Sequence, residues 1–256
     1  MIGKIKKILK NCIRILRGDV FYLEKDSYCD DGMATNHLNN FQNDKNFLKI
    51  YAEATQHQEL GKHKGNIHYR AYIVSYFANY CKNIEGDFVE LGCGKGIYAK
   101  IIFEYCEFYK CDKIFFLFDT FNGIPIELAK PEENKMTKML NETAYKVDYY
   151  DFVKKKFDMY KNCKIINGRL PESLKNIEIS KISFLHIDLN NAESEISSIE
   201  EIYNKINIGG IVILDDYAYS KDFLTQKKSW DKFSNSKNFK ILSLPTGQGF
   251  FVKTKN

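Results

Sequence analysis

Residues Phe88 to Gly96, FVELGCGKG, constrain this chain more than any other stretch. They read as a buried strand running into a glycine-rich turn and then a helix, with Glu90 at the strand end and glycines at Gly92, Gly94 and Gly96. Glycines let backbone N–H groups approach a ligand closely, at the positive end of the helix that follows. The spacing is GxGxG, whereas the dinucleotide fingerprint needs GxGxxG, and position 97 is isoleucine. An acid directly before the glycines suits an amine-bearing ligand better than a pyrophosphate. The loop therefore reads as one for S-adenosylmethionine, with Glu90 reaching the ligand's amino acid moiety directly or through water. A tight strand–helix turn without a ligand fits the same residues.

From Gly86 onward the chain alternates strands and helices. Apolar, β-branched runs predict strands at Phe88–Leu91, Ile114–Phe118, Lys164–Ile166, Ile182–Ile187 and Gly210–Leu214. Helices are predicted near Ile97–Tyr109, Tyr149–Tyr160, Ala192–Ile206 and Asp222–Phe233, and IHYRAYIVSYFANYC before the first strand is also helical. FKILSL, PTGQG and FFVKT then read as two strands joined by a tight turn. The expected fold is α/β: a doubly wound, Rossmann-like sheet of seven strands, mostly parallel with one antiparallel strand. It would occupy residues 66–256, preceded by an extension over 1–65 that is either a cap over a site or irregular.

The remaining features bound the class. At 256 residues the chain suits one domain with elaborations. A net charge of +5 with abundant acids gives no nucleic-acid footprint, except at the extreme N-terminus. Seven cysteines without CxxC pairs argue against a disulfide framework or zinc site and for a cytoplasmic location. No apolar run is long enough to span a membrane. Residues Ile2 to Leu16 have helical apolar periodicity with Lys4, Lys6, Lys7, Lys10, Arg14 and Arg17 mostly between the apolar positions. Residues 1–17 could thus lie on an anionic membrane surface, or dock on the domain or a second subunit of a homo-oligomer.

In doubly wound sheets ligands bind at the C-terminal strand ends. The second strand ends at Asp119, a carboxylate able to accept hydrogen bonds from both hydroxyls of a ribose, or merely to cap its own turn. The fourth ends LHIDLNN and the fifth VILDDYAYS, so Asp188, Asp215 and Asp216 should meet at one rim. Three carboxylates converging without an evident cationic partner would repel one another, and a hard cation such as Mg²⁺ removes the conflict. His186 shares a strand face with Asp188 and either assists a substrate proton or hydrogen-bonds within the strand. Glu195, in the first turn of the next helix, is explained by default as helix-start stabilisation.

Together GDFVELGCGKG, FDTFNGIP, GRLPESL, FLHIDLNNAESEI, NIGGIVILDDYAYS and LSLPTGQG resemble the macrocin O-methyltransferase family, from about His68 to the C-terminus. The resemblance implies a class I S-adenosylmethionine-dependent enzyme that methylates sugar hydroxyls. Glu90 to Gly96 would hold the methionine portion, Asp119 the ribose, and Asp188 with Asp215 and Asp216 would ligate Mg²⁺ bound to neighbouring hydroxyls of a sugar or glycan acceptor. One departure matters: the fourth strand of antibiotic-sugar members ends D-x-D, with the second aspartate as proposed base, and here that position is Asn190. The proton would pass to His186, to Asp188 or to another group near the metal. The HIDxN variant and ILSLPTGQG resemble a surface-glycan branch. A non-sugar diol acceptor, or a catalytically impaired module tethered to a glycan assembly, are the rival readings.

Overall fold

The computed structural model describes residues 27–56 and 66–255. The amphipathic segment 1–17 lies outside them. In chain order the elements are β1 (Tyr28–Asp30), β2 (Met33–Thr35), α1 (Lys45–Thr55), α2 (His68–Cys81), β3 (Asp87–Leu91), α3 (Ile97–Tyr105), β4 (Phe115–Asp119), α4 (Asn134–Thr143), α5 (Tyr150–Phe157), β5 (Cys163–Asn167), α6 (Glu172–Lys175), β6 (Ile182–Ile187), α7 (Ala192–Ile202), β7 (Ile206–Leu214), α8 (Leu224–Ser236), β8 (Leu242–Ser243) and β9 (Gly249–Val252).

The main sheet has seven strands in the order β5-β4-β3-β6-β7-β9-β8. Its β3–β7 strands pair in parallel, and β9 runs antiparallel to both β7 and β8. This is the expected fold, with β9 as its one reversed strand. The order turns back at β3, where the chain crosses from the β5 edge to lay β6 on the other side. Such a reversal opens a crevice at the strands' C-terminal ends, and β3 and β6 meet there through the Asp188 N–H, which donates to the Leu91 carbonyl at 2.8 Å.

Alternation along the strands builds two cores. Phe88, Phe115, Leu117, Phe184, Ile211 and Ile213 face the layer of α1, α2, α3 and α5. Val89, Leu91, Phe116, Phe118, Leu185, Ile187 and Val212 face the layer of α6, α7 and α8, where Trp230 is fully buried. Glu90 and His186, paired in register across β3 and β6, are the polar interruptions on the first face.

Residues 27–56 are not irregular. Asp31-Gly32, with φ of 54° and 73°, turns the β1–β2 hairpin, the two-residue left-handed turn for which Asp-Gly is a favoured pair. Asp44 caps α1 by accepting from the Phe47 N–H at 2.9 Å. Phe41, Phe47 and Tyr51 then enter the first core beside α2 and α3. A second addition to the sequence reading is α4, whose Asn141 holds the backbone of Ile124 at both its N–H and its carbonyl. Among the described residues no helix is long and apolar enough to cross a membrane.

Candidate active site

The glycine loop does two jobs. A Cβ on Gly92 would stand 2.0 Å from the Asp188 carbonyl oxygen, so this glycine is imposed by the approach of β6 to β3. Gly96 packs against the Phe157 ring, 2.5 Å from where a Cβ would fall. Gly94, at φ +52°, differs: a Cβ there would meet nothing within 4 Å. The space beside it is what a ligand lying against the loop needs.

The acids around the loop are placed accordingly. Glu90 is buried, its Oε1 3.0 Å from His186 Nδ1, while its Oε2 has no hydrogen-bond partner. A buried orphan acceptor is costly, and an amine would satisfy it. Asp119 accepts from the Gly94 N–H at 2.8 Å through Oδ2 and from the Phe121 N–H at 2.7 Å through Oδ1, with the Tyr149 hydroxyl 3.4 Å from Oδ1. It therefore caps its own turn and also fastens the glycine loop to β4. A carboxylate offers about four lone-pair sites, which leaves capacity for a ribose hydroxyl.

The three aspartates do meet. Asp188, Asp215 and Asp216 each bring a carboxylate oxygen within 4.8 Å of the others, a hard-oxygen set of the kind Mg²⁺ takes. The expectation that they lack a cationic partner is corrected. Arg70, on α2, donates from Nη1 to Asp215 Oδ2 at 2.6 Å and to Asp216 Oδ1 at 3.3 Å, and from Nε to Asp31 Oδ2 at 2.7 Å. Its guanidinium lies 4.3 Å from the Tyr219 ring centroid. Asp215 also receives the Tyr98 hydroxyl at 3.1 Å and Gln248 Nε2 at 2.9 Å.

Charge follows geometry. Burial opposes ionisation of Asp215, but Arg70 and His186 outweigh it and hold the carboxyl well below the usual range. Burial, with Asp215 and Asp216 adjacent, pushes Asp188 well above that range. Burial alone would lower His186, yet Asp215 and Glu90 on either side raise it to about 10. His186 Nδ1 lies against Glu90, and its Nε2 is buried 3.6 Å from Asp215 Oδ1 without a hydrogen-bond partner. Asn190, at φ 55°, donates from Nδ2 to Asp188 Oδ1 at 2.8 Å. Asparagine tolerates that left-handed position, and its amide orients the very acid that the D-x-D pattern would crowd.

Arg70, Tyr98, Gln248 and Asp31 were missing from the sequence reading. Asp31 carried a local signal in the Asp-Gly hairpin pair, and Gln248 lies in the PTGQG turn, whereas Arg70 and Tyr98 reach the rim from helix faces. Tyr145 joins them, partly buried and shifted well upward by desolvation and by Asp188 and Asp119. Glu195 is reassigned: its carboxylate accepts from Trp230 Nε1 at 2.6 Å and Gln226 Nε2 at 2.9 Å, tying α7 to α8.

The family model for macrocin O-methyltransferases matches residues 75–242, from α2 through β8. The chain belongs to the macrocin O-methyltransferase family. As a member, it is an S-adenosylmethionine-dependent O-methyltransferase. Its fold is similar to that of the O-methyltransferase NovP, at TM-score 0.68 and 18% identity over 82% of this chain and 97% of that one. It is also similar to the calicheamicin methyltransferase CalS11, at TM-score 0.59 and 14% identity over 84% and 94% of the two chains. The Podospora anserina methyltransferase PaMTH1, bound to S-adenosylhomocysteine, aligns at TM-score 0.54 and 13% identity over 83% and 88%. No curated protein matches the sequence significantly.

Proposed function

We propose that this family member transfers a methyl group from S-adenosylmethionine to a sugar hydroxyl, assisted by Mg²⁺, in glycan biosynthesis in the cytoplasm. The observation that carries this reading is the adjacency of two unlike sites. Gly92 lies against the Asp188 carbonyl, so the donor loop and the acid rim share one crevice. CalS11, which is a TDP-rhamnose 3′-O-methyltransferase, lends support to a sugar acceptor.

On this reading Gly94 leaves room for the donor, Glu90 Oε2 accepts from its amino group, and Asp119 takes a ribose hydroxyl. Asp188, Asp215 and Asp216 would hold Mg²⁺, which when bound lowers the pKa of a coordinated hydroxyl and orients it. Asn190 cannot accept the hydroxyl proton, which passes to Asp188, held ionised when Mg²⁺ is bound, or to His186. Tyr98 and Gln248 keep Asp215 fixed while this happens. Catalysis otherwise rests on holding the oxygen in line with the methyl group.

Asp188→Asn tests this. The account expects loss of Mg²⁺-stimulated turnover, with S-adenosylmethionine affinity by calorimetry within about twofold of wild type. Full turnover in D188N would refute the role given to this acid.

A further inference from the structure

The acid cluster already holds a cation, and its seat is two-sided. Arg70, Asp31, Asp215 and Asp216 have side chains no more than 10% exposed, so their charges are weakly screened. On the cluster side Nη1 is shared between Asp215 and Asp216; on the other side Nε meets only one oxygen of Asp31. Asp31 Oδ1 is buried and accepts no hydrogen bond of normal length, although the Tyr219 hydroxyl also interacts with this carboxylate. An arginine–carboxylate pair ordinarily uses two parallel N–H···O contacts, so Asp31 presents half of an unmade fork to the guanidinium it already touches.

We propose that Arg70 is the resident cation of the acid cluster and that Asp31 is the anion that receives it when a divalent cation enters. The idea rests on the Mg²⁺ reading of Asp188, Asp215 and Asp216. A divalent ion among these acids repels a guanidinium in contact with two of them. Shifting Arg70 onto both oxygens of Asp31 relieves that repulsion, frees an oxygen of Asp215 for the ion, and gives Oδ1 a guanidinium donor. Because Asp31 sits at the tip of the β1–β2 hairpin, the site's affinity for metal is set partly by a residue that touches no metal ligand. Arg70 and Asp31 are positioning residues, neither in contact with the reacting atoms.

The test is Mn²⁺ binding to the full chain, read by electron paramagnetic resonance of free Mn²⁺, with no turnover involved. Arg70→Met removes the competing cation and is expected to tighten Mn²⁺ about tenfold. Asp31→Asn removes the receiving anion and is expected to weaken it by a similar factor. In the R70M background, D31N should change affinity by less than about twofold, since no guanidinium remains to be received. Arg70→Gln, which keeps an amide donor for Asp215, replaces R70M if the latter does not fold. Mn²⁺ affinity equal to wild type in R70M, or an undiminished D31N effect in that background, overturns the exchange while leaving the metal site standing. Absence of Mn²⁺ binding in the wild type and every variant overturns the metal reading itself.

Discussion

Gly94 is the residue at which fold and ligand separate. Its left-handed φ of +52° makes any side chain strained by about 1–2 kcal/mol, yet a Cβ there meets nothing within 4 Å. Gly94→Val should therefore stay folded with a modest fall in melting temperature, while S-adenosylmethionine affinity drops at least about a hundredfold. Calorimetry showing unchanged affinity would move the donor away from this loop. The spacing GxGxG pointed to a ligand loop but did not say which glycine serves it. The partners that claim Gly92 and Gly96, the Asp188 carbonyl and the Phe157 ring, arrive from far along the chain. Arg70 was hidden for the same reason: in HYRAYIVSYF it is one helix residue among others, and only the packing of α2 against the rim brings it to Asp215.

At the scale of elements, the seam between α7 and α8 carries a measurable charge. Burial raises the Glu195 carboxyl from 4.5 to about 7, against the opposing hydrogen bonds from Trp230 and Gln226. A carboxyl raised in the folded state binds more protons there than in the unfolded chain. Its contribution to stability is thus complete below about pH 4.5 and is lost as pH rises to about 7. The span amounts to about 3 kcal/mol. Glu195→Gln should flatten this dependence and be the more stable protein at pH 8, with the Gln226 amide turned to offer its oxygen. Urea unfolding of both proteins from pH 5 to 8 checks it, and identical slopes would remove Glu195 from the account. The strands themselves were legible, because β-branched runs bounded by turn residues leave few other readings. The β1–β2 hairpin was not: strands of three residues, YCD and MAT, are too short for alternation to register, although Asp-Gly marked their turn. The α7–α8 seam was equally silent, since Glu195 at a helix start looks like a charge placed for the dipole.

For the whole molecule, topology does most of the work. Order β5-β4-β3-β6-β7-β9-β8 brings the ends of β3, β4, β6 and β7 to one rim, and with them Glu90, Asp119, Asp188 and Asp215. That convergence was readable from the ordering of motifs alone. What closes the rim was not, because Asp31 and Arg70 precede the first parallel strand and Gln248 follows the last. For the basic segment 1–17, outside the described residues, docking on protein stands beside anchoring on an anionic surface, and vesicle flotation tests the second. On the anchoring reading its removal shifts protein from floating to sedimenting with anionic phosphatidylserine vesicles, and unchanged flotation would assign it to protein contacts instead.

On the proposed reading a donor loop and a metal-holding acid rim act together on one sugar hydroxyl. That reading is tested most directly by following label from methyl-labelled S-adenosylmethionine onto a panel of nucleotide-linked sugars, with Mg²⁺ and in excess chelator. One added methyl is expected on a sugar bearing neighbouring hydroxyls, formed with Mg²⁺ and abolished by the chelator. Equal transfer in the chelator, or transfer only to acceptors without a sugar, would contradict it.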